Sequence, residues 1–256
     1  VGLVASIKGV RRHDIVTQSL DAVGCMEHRG ACSADNISGD GTGVMTEIPW
    51  KLIQRDFPAL EEGSCGVGQC MLPQDPAAAA ASEALLEAVA REEGFEVLGW
   101  RDVPVDVSCV GRQAEVSRPG MRQCLLKHPS ATGDDLERKF FLVRRMVEAR
   151  APEAVGAEHY QDFFICTLSS RTIVYKGMLN SSALGIFYVD LRDPDYESLF
   201  SIYHRRFSTN TVPKWPLAQP FRFLGHNGEI NTLQGNINWQ ASIQGNYTHP
   251  IWEGRE

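Results

Sequence analysis

Two long amphipathic helices, set between groups of strand-like segments, constrain the fold of this chain more than any other feature of its sequence. The first predicted helix has Asp75 as its N-cap, Pro76 at its first position and Gly94 at its end. The second begins at Asp134 and Asp135. Its apolar stripe consists of Leu136, Phe140, Val143 and Val147. Each helix has only one apolar face, so each requires a sheet or another helix to cover it.

Strand patterns occur before, between and after these helices. Residues 1–7 predict a buried strand, and residues 163–168 and 172–176 predict a hairpin around Ser169-Ser170-Arg171. Further strands are predicted at 44–45, 67–72, 97–100, 186–189, 199–207 and 221–225, and shorter helices at 14–26, 49–57 and 231–242. Strands at both ends with helices between them indicate a layered α+β fold rather than a regular βα alternation.

Composition argues against several classes of function. The chain is 43% hydrophobic and 22% charged, as is usual for a soluble globular protein, and its net charge of −7 offers no basic surface for nucleic acid. Its longest apolar runs are much shorter than the roughly 20 residues of a membrane span. We therefore expect no nucleic-acid or membrane partner. The absence of a secretory signal pattern favours a cytoplasmic location, with a plastid as the alternative.

The seven cysteines are odd in number and irregularly spaced, which is typical of reduced, buried thiols. Cys25 with His28, and Cys65 with Cys70, are possible metal-ligand pairs. No second pair at zinc-finger spacing follows either of them, so no metal site is expected.

Three short motifs carry possible chemistry. His226-Asn227-Gly228 could place a side-chain amide and a backbone N–H at a developing oxyanion, or it could form a hairpin turn. Arg206 could bind a carboxylate through its two-pronged guanidinium, or belong to a solvated pair with Arg205. The run Gly39 to Gly43 resembles a phosphate cradle but lacks the Lys-Ser/Thr end of a P-loop.

Six longer stretches, taken in order, closely resemble the glutaminase domains of glutamate synthase large subunits. These domains are class II glutamine amidotransferases of the N-terminal-nucleophile family. The resemblance extends from Val1 to about Trp239. The stretches are 26–31, 39–43, 99–105, 169–177, 206–211 and 226–235.

This resemblance implies a fold and an activity. The fold is a four-layer αββα sandwich, and the activity is hydrolysis of the L-glutamine side-chain amide by an N-terminal cysteine. The ammonia would pass to a synthase domain of the same polypeptide, which aminates 2-oxoglutarate. Flavin mononucleotide (FMN), an iron–sulfur cluster and either NADPH or ferredoxin are implied for the parent enzyme. Its implied redox partner is an electron-donor subunit or ferredoxin. No cofactor is expected within this domain.

Carried over position by position, the resemblance assigns five site residues. Arg206 resembles the residue that binds the glutamine α-carboxylate, and Phe207 and Thr209 match the substrate pocket beside it. Asn227, through its side-chain amide, and Gly228, through its backbone N–H, resemble the oxyanion hole. The base would be the α-amino group of the nucleophile, whose pKa near 8 suits that role.

The chain departs from the family pattern at both ends. The family begins Cys-Gly-Val-Gly, whereas this sequence begins Val1-Gly2, which puts the expected cysteine two residues before Val1. The aspartate that pairs with the substrate ammonium is expected beyond Glu256. We therefore expect residues 1–256 to be one amidotransferase domain, incomplete at both ends and inactive alone. Cys65-Gly66-Val67-Gly68 imitates the missing start, but an internal cysteine has no free α-amino group.

Two other interpretations remain open. The chain could belong to a different class II amidotransferase, of the glucosamine-6-phosphate or purine type, although stretches 99–105 and 169–177 favour glutamate synthase. It could also be a regulatory or binding module that keeps the fold without a nucleophile.

Overall fold

A computed structural model describes residues 1–206, 212–222 and 233–247 of the chain. It divides the chain into two compact units, Val1–His226 and Asn227–Glu256. The sheets and the helices that cover them belong to the first unit.

The first unit contains two four-stranded antiparallel sheets. The strands of sheet 1 are β1 (Gly2–Ala5), β2 (Thr42–Glu47), β7 (Thr172–Gly177) and β8 (Phe200–Arg205), in the order β1-β8-β2-β7. The strands of sheet 2 are β3 (Cys65–Leu72), β4 (Glu96–Asp102), β5 (Gly120–Lys127) and β6 (Phe164–Ser169), in the order β4-β5-β3-β6. The helices of this unit are α1 (Asp14–Gly24), α2 (Trp50–Ile53), α3 (Pro76–Glu92), α4 (Arg112–Val116), α5 (Gly133–Ala154) and α6 (Leu184–Phe187).

The two sheets stack face to face, and helices cover their outer faces. Strand β5 shows how one strand serves both cores: Leu125 points into the core between the sheets, while Cys124 and Leu126 point toward α3 and α5. This alternation follows from the two-residue period of a strand. Helix α1 packs on β1 and β8 at the other side of the molecule. The result is the predicted α+β, four-layer αββα sandwich.

Both long helices form where the sequence predicts them. The carboxylate of Asp75 accepts a hydrogen bond from the Ala78 N–H at 2.8 Å, which caps the start of α3. The predicted stripe of α5 is buried against sheet 2. These helices were predictable because caps and apolar spacing are local in sequence.

Three sequence predictions about strands are wrong. The segment predicted as a buried strand is β1, an edge strand in which Leu3 is 61% exposed. Residues 169–171 do not close a hairpin, because β6 belongs to sheet 2 and β7 to sheet 1. Residues 186–189 form no strand. They lie in α6 and at the start of the 3-10 helix Val189–Arg192, and Tyr188 between them forms only an isolated antiparallel bridge to Val105. A periodicity rule cannot distinguish a hairpin from a crossing between sheets, since both place two strands around a short turn.

The described part of the second unit contains helix α7 (Gln234–Gln244). It overlaps the helix predicted at 231–242 but begins and ends later. Of the strand predicted at 221–225, only Phe221 and Arg222 are described.

Candidate active site

Arg206 stands at the end of β8, where the chain leaves sheet 1. Its backbone has a φ of 90°, a left-handed conformation that is uncommon for a residue with a side chain. Its N–H donates a hydrogen bond to the carbonyl of Gly41 at 2.7 Å. The side chain is 36% exposed, and its Nε lies 3.4 Å from Oδ2 of Asp40. A partly exposed guanidinium held at its inner edge is suited to binding an anion.

Asp40 lies beneath this arginine and is buried. Its other carboxylate oxygen forms a close ion pair with Nη1 of Arg205. The surrounding glycines are required by packing, since a Cβ at Gly39 would meet the Leu179 carbonyl oxygen at 2.2 Å, and Gly41 has a φ of 138°. The structure therefore accounts for the run Gly39–Gly43 by chain packing around Asp40, without a phosphate.

The stretch 26–31 contributes a second carboxylate to the same cluster. Glu27 pairs with Nη2 of Arg205 at 2.8 Å and also accepts a hydrogen bond from the Ser181 N–H at 2.9 Å. Burial acts against the charged carboxylate, but the hydrogen bonds from Arg205 and Ser181 outweigh it and lower the pKa of Glu27. A Cβ at Gly30 would stand 1.9 Å from Cζ of Arg205, so this position accepts only glycine while the arginine stays in place.

Arg205 is consequently no part of a solvated arginine pair. Its side chain is fully buried, and besides the two carboxylates it donates to the carbonyls of Gly41 at 3.1 Å and Ala31 at 3.4 Å. The solvated-pair interpretation is wrong for this residue. Arg205, Glu27, Asp40 and Arg206 form one charged cluster, which we name the arginine cluster.

The start of β1 lies at the same end of sheet 1 as this cluster. Strand β1 pairs with β8 in an antiparallel register that sets Gly2 opposite Tyr203.

Cys65, Cys70 and Cys124 are buried, so their thiols are poorly placed to meet a substrate. Cys65 is fully buried at the start of β3, where its sulfur accepts a hydrogen bond from the Glu61 N–H at 3.2 Å. Burial raises the pKa of Cys70 and Cys124, which disfavours their thiolates. Across residues 1–206, 212–222 and 233–247, no group of three or more His, Cys, Asp or Glu residues is arranged to hold a metal ion.

The four other predicted site residues lie outside the described residues. These are Phe207, Thr209, Asn227 and Gly228. The sequence did not single out Glu27, Asp40 and Arg205, although each lies in or beside a motif that it highlighted. An acidic residue within a glycine-rich loop is the signal that could have found Asp40.

The remaining two motifs have structural roles in the first unit. Arg101, from the stretch 99–105, is buried and forms a two-pronged ion pair with Asp190 at 2.8 Å for both contacts. The stretch 169–177 contains the crossing from sheet 2 to sheet 1.

Sequence comparison agrees with this geometry. The family described as glutamine amidotransferases class-II matches residues 1–256, and the chain belongs to this family. It is 48% identical over 262 residues to the chloroplastic ferredoxin-dependent glutamate synthase of Oryza sativa subsp. japonica, covering 100% of this chain and 16% of that protein. It is 50% identical over 248 residues to ferredoxin-dependent glutamate synthase 2 of Synechocystis sp., covering 94% of this chain and 15% of that protein. The resemblance seen in the sequence motifs is confirmed.

The chain spans about one sixth of the length of these relatives. Among the helices of the described residues, none is both long enough and apolar enough to span a membrane.

Proposed function

We propose that this chain is the glutaminase domain of a ferredoxin-dependent glutamate synthase. The observation that carries the proposal is the position of Arg206, a partly exposed guanidinium at the end of sheet 1 where β1 begins, in a chain of the class II amidotransferase family. An N-terminal nucleophile on β1 and a carboxylate-binding arginine on β8 would then face the same substrate.

The reaction follows from the chemistry of an amide. A cysteine two residues before Val1 would attack the side-chain amide carbon of L-glutamine as a thiolate, its proton having moved to its own α-amino group. The resulting oxyanion would accept hydrogen bonds from the Asn227 side chain and the Gly228 N–H. The α-amino group would return the proton to the leaving nitrogen, which releases ammonia and leaves a thioester. Water would then hydrolyse the thioester to glutamate and restore the thiol.

Substrate binding would divide among the remaining site residues. Arg206 would bind the α-carboxylate, and Phe207 and Thr209 would line the pocket beside it.

The rest of the parent enzyme would use the ammonia. A synthase domain of the same polypeptide would aminate 2-oxoglutarate, with FMN and an iron–sulfur cluster supplying redox chemistry. Ferredoxin is proposed as the electron donor in preference to NADPH, because the relatives in rice and Synechocystis are named as ferredoxin-dependent. A plastid location is proposed beside a cytoplasmic one, because the rice relative is named as chloroplastic.

The first test labels the full-length polypeptide with 6-diazo-5-oxo-L-norleucine, a glutamine analogue that alkylates a nucleophilic thiol. We expect one adduct, located by peptide mass spectrometry on the cysteine two residues before Val1, and an unlabelled Cys65. No adduct, or an adduct on Cys65, would reject the proposed nucleophile. The absence of any glutamine-dependent ammonia release would favour the regulatory module instead.

A second measurement decides which acceptor receives the ammonia. We expect glutamine-dependent amination of 2-oxoglutarate with reduced ferredoxin. Amination of fructose 6-phosphate or phosphoribosyl pyrophosphate would identify another class II amidotransferase.

The oxyanion hole gives a prediction of its own. In the full-length enzyme, Asn227→Ala should lower kcat for glutamine hydrolysis by about 10²–10³-fold, because one donor to the oxyanion is lost. Asn238→Ala, an amide deletion on α7, is the matched control and should leave kcat within about 2-fold of the parent value. Equal kcat values for the two variants would remove Asn227 from the site.

A further inference from the structure

Two buried polar atoms of the arginine cluster lie next to each other and have no hydrogen-bond partner among the described residues. These atoms are Oδ2 of Asp40 and Nε of Arg206. They lie 3.4 Å apart as an ion pair. Buried polar atoms without partners are rare, so a pair of opposite charge facing each other indicates a functional arrangement.

Asp40 is itself held firmly in place. Its second oxygen pairs with Arg205, whose other terminal nitrogen is fixed by Glu27 at 2.8 Å. The cluster therefore contains two carboxylates and two guanidiniums. Glu27, whose side chain is 45% exposed, compensates the charge of the fully buried Arg205, which leaves Asp40 available to act on Arg206.

The neighbouring residue fixes the backbone of the same arginine. The Gly41 carbonyl accepts the Arg206 N–H at 2.7 Å, and Arg206 adopts its left-handed φ of 90° there. The dipeptide Asp40-Gly41 thus contacts Arg206 at two points, the backbone N–H and the side-chain Nε. A guanidinium held at Nε has its Nη1 and Nη2 atoms free to meet a carboxylate as a fork.

We propose that Asp40 is a positioning residue that orients Arg206 so that its two terminal nitrogens recognise the α-carboxylate of glutamine. The proposal rests on the proposed function of Arg206. Asp40 would touch neither the substrate nor the reacting atoms. Its effect would be confined to substrates that carry an α-carboxylate.

The test compares two substrates in the full-length enzyme. One is L-glutamine, and the other is 4-aminobutanamide, which is glutamine without its α-carboxylate. For Asp40→Asn we expect KM for glutamine to rise about 10-fold or more, with kcat changed by less than about 3-fold, because a charge-assisted contact that holds the arginine is weakened. For 4-aminobutanamide, kcat/KM should change by less than about 2-fold.

Asp35→Asn is the matched control in the same loop. The Asp35 carboxylate accepts hydrogen bonds from the N–H groups of Ile37, Ser38 and Gln113, so it stabilises the loop without approaching either arginine. If loosening of the loop is what matters, Asp35→Asn and Asp40→Asn will lower kcat/KM for both substrates alike, and the proposal is overturned.

The variant Arg206→Lys tests the role of Arg206 separately from the role of Asp40. If this variant loses the same fraction of kcat/KM with both substrates, Arg206 does not bind the α-carboxylate and its proposed function fails. If Arg206→Lys lowers kcat/KM for glutamine more than for 4-aminobutanamide and Asp40→Asn does not, only the role of Asp40 fails.

If Asp40→Asn does not fold, as judged by circular dichroism, Asp40→Glu replaces it. The Asp40→Glu variant keeps the negative charge but moves it, so it should raise KM for glutamine without changing kcat/KM for 4-aminobutanamide. An equal loss of kcat/KM for both substrates would again overturn the proposal.

Discussion

At the scale of single residues, Lys176 is the most unusual cation of sheet 1. It is fully buried in β7, donates to the Pro216 carbonyl at 2.8 Å and lies 4.2 Å from the ring centroid of Phe221. Burial lowers the pKa of Lys176 to about 8, and Cys166 and Arg144 act on it electrostatically to a smaller extent. Lys176 therefore holds the segment 212–222 against sheet 1, and burial of its charged ammonium group is unfavourable.

This unfavourable burial predicts a pH dependence. An unfolded lysine with its ordinary pKa of 10.5 binds more protons than folded Lys176 between pH about 8 and 10.5, so the folded state gains stability as pH rises through that window. Relative to Lys176→Met, the parent protein should gain up to about 3 kcal/mol in free energy of unfolding across it. Urea unfolding at pH 7.5 and pH 10 measures the difference.

Lys51→Met serves as the control for this prediction. Lys51 is on the surface, and its hydrogen bonds to Asp195 and Glu197 raise its pKa, so its contribution is retained up to pH 10.5 and lost only above it. The difference between the parent protein and Lys51→Met should stay constant from pH 7.5 to 10. A constant difference for Lys176→Met as well would contradict the assignment of a lowered pKa.

The arginine cluster shows how far single residues were predictable. Arg206 could be singled out from its motif, because the residues that carry the resemblance are contiguous, and its role in binding a carboxylate stays a prediction. Asp40 and Glu27 could not be singled out, since they reach Arg205 across 165 and 178 residues of sequence. No local pattern reports which carboxylate meets which guanidinium after folding.

At the scale of secondary-structure elements, helix α5 holds the crossing between the sheets. Its Glu137 carboxylate accepts hydrogen bonds from the Ser170 N–H at 2.6 Å, the Ser170 hydroxyl at 2.7 Å and the Ser169 hydroxyl at 3.0 Å. These three donors would be unsatisfied without it, because both serines are buried. A helix of the outermost layer therefore fixes the turn that joins the two inner layers.

Removing this carboxylate should loosen the crossing. We expect Glu137→Ala to lower the free energy of unfolding by about 2–3 kcal/mol, because hydrogen bonds to a charged group are lost and buried donors remain. Glu137→Gln keeps one acceptor oxygen and should lose less. Asp135→Asn changes an exposed carboxylate on the same helix and should stay within about 0.5 kcal/mol of the parent. If Glu137→Ala and Asp135→Asn lower the free energy of unfolding equally, Glu137 contributes only to the stability of α5 and not to the turn at Ser169 and Ser170.

Elements were predictable where their signals are local and missed where tertiary contacts override them. The caps and stripes of α3 and α5 predicted both helices. Strand β5 was missed because Arg122 and Gln123 interrupt its apolar pattern. Gln123 is nevertheless buried, since it donates to Gln69 at 2.9 Å and to the Tyr175 hydroxyl at 2.8 Å. Its partners, which also include Arg101 of β4, come from three other strands, so the sequence of β5 alone does not show that a glutamine fits there.

At the scale of the whole sandwich, a polar network crosses the core between the sheets. Arg101 of β4 pairs with Asp190, which accepts a hydrogen bond from the Tyr175 hydroxyl of β7 at 2.8 Å. Gln123 of β5 contacts both Arg101 and Tyr175. Strands of both sheets are thereby joined through one buried ion pair. The layered class was predictable from the order of elements, but this network was not, because its members are distant in sequence.

Breaking the network at one member should destabilise the sandwich as a whole. Arg101→Met and Asp190→Leu should each lower the free energy of unfolding by about 3–5 kcal/mol. The first leaves the Asp190 charge uncompensated in the core, and the second leaves Arg101 with only the exposed carboxylate of Asp56 as its charged partner. The double variant should lose much less than the sum, since it leaves no buried charge unpaired.

Urea unfolding of the parent protein, the two single variants and the double variant measures the coupling energy between Arg101 and Asp190. Arg55→Met removes an exposed partner of Asp193, close in sequence to Asp190, and as the control it should cost no more than about 1 kcal/mol. Additive losses from Arg101 and Asp190 would mean that each side chain acts through its own packing. Strong coupling together with a single unfolding transition would instead support the ion pair as a link between the two sheets. If the pair stabilised one sheet alone, its loss could unfold that sheet while the second sheet stayed folded.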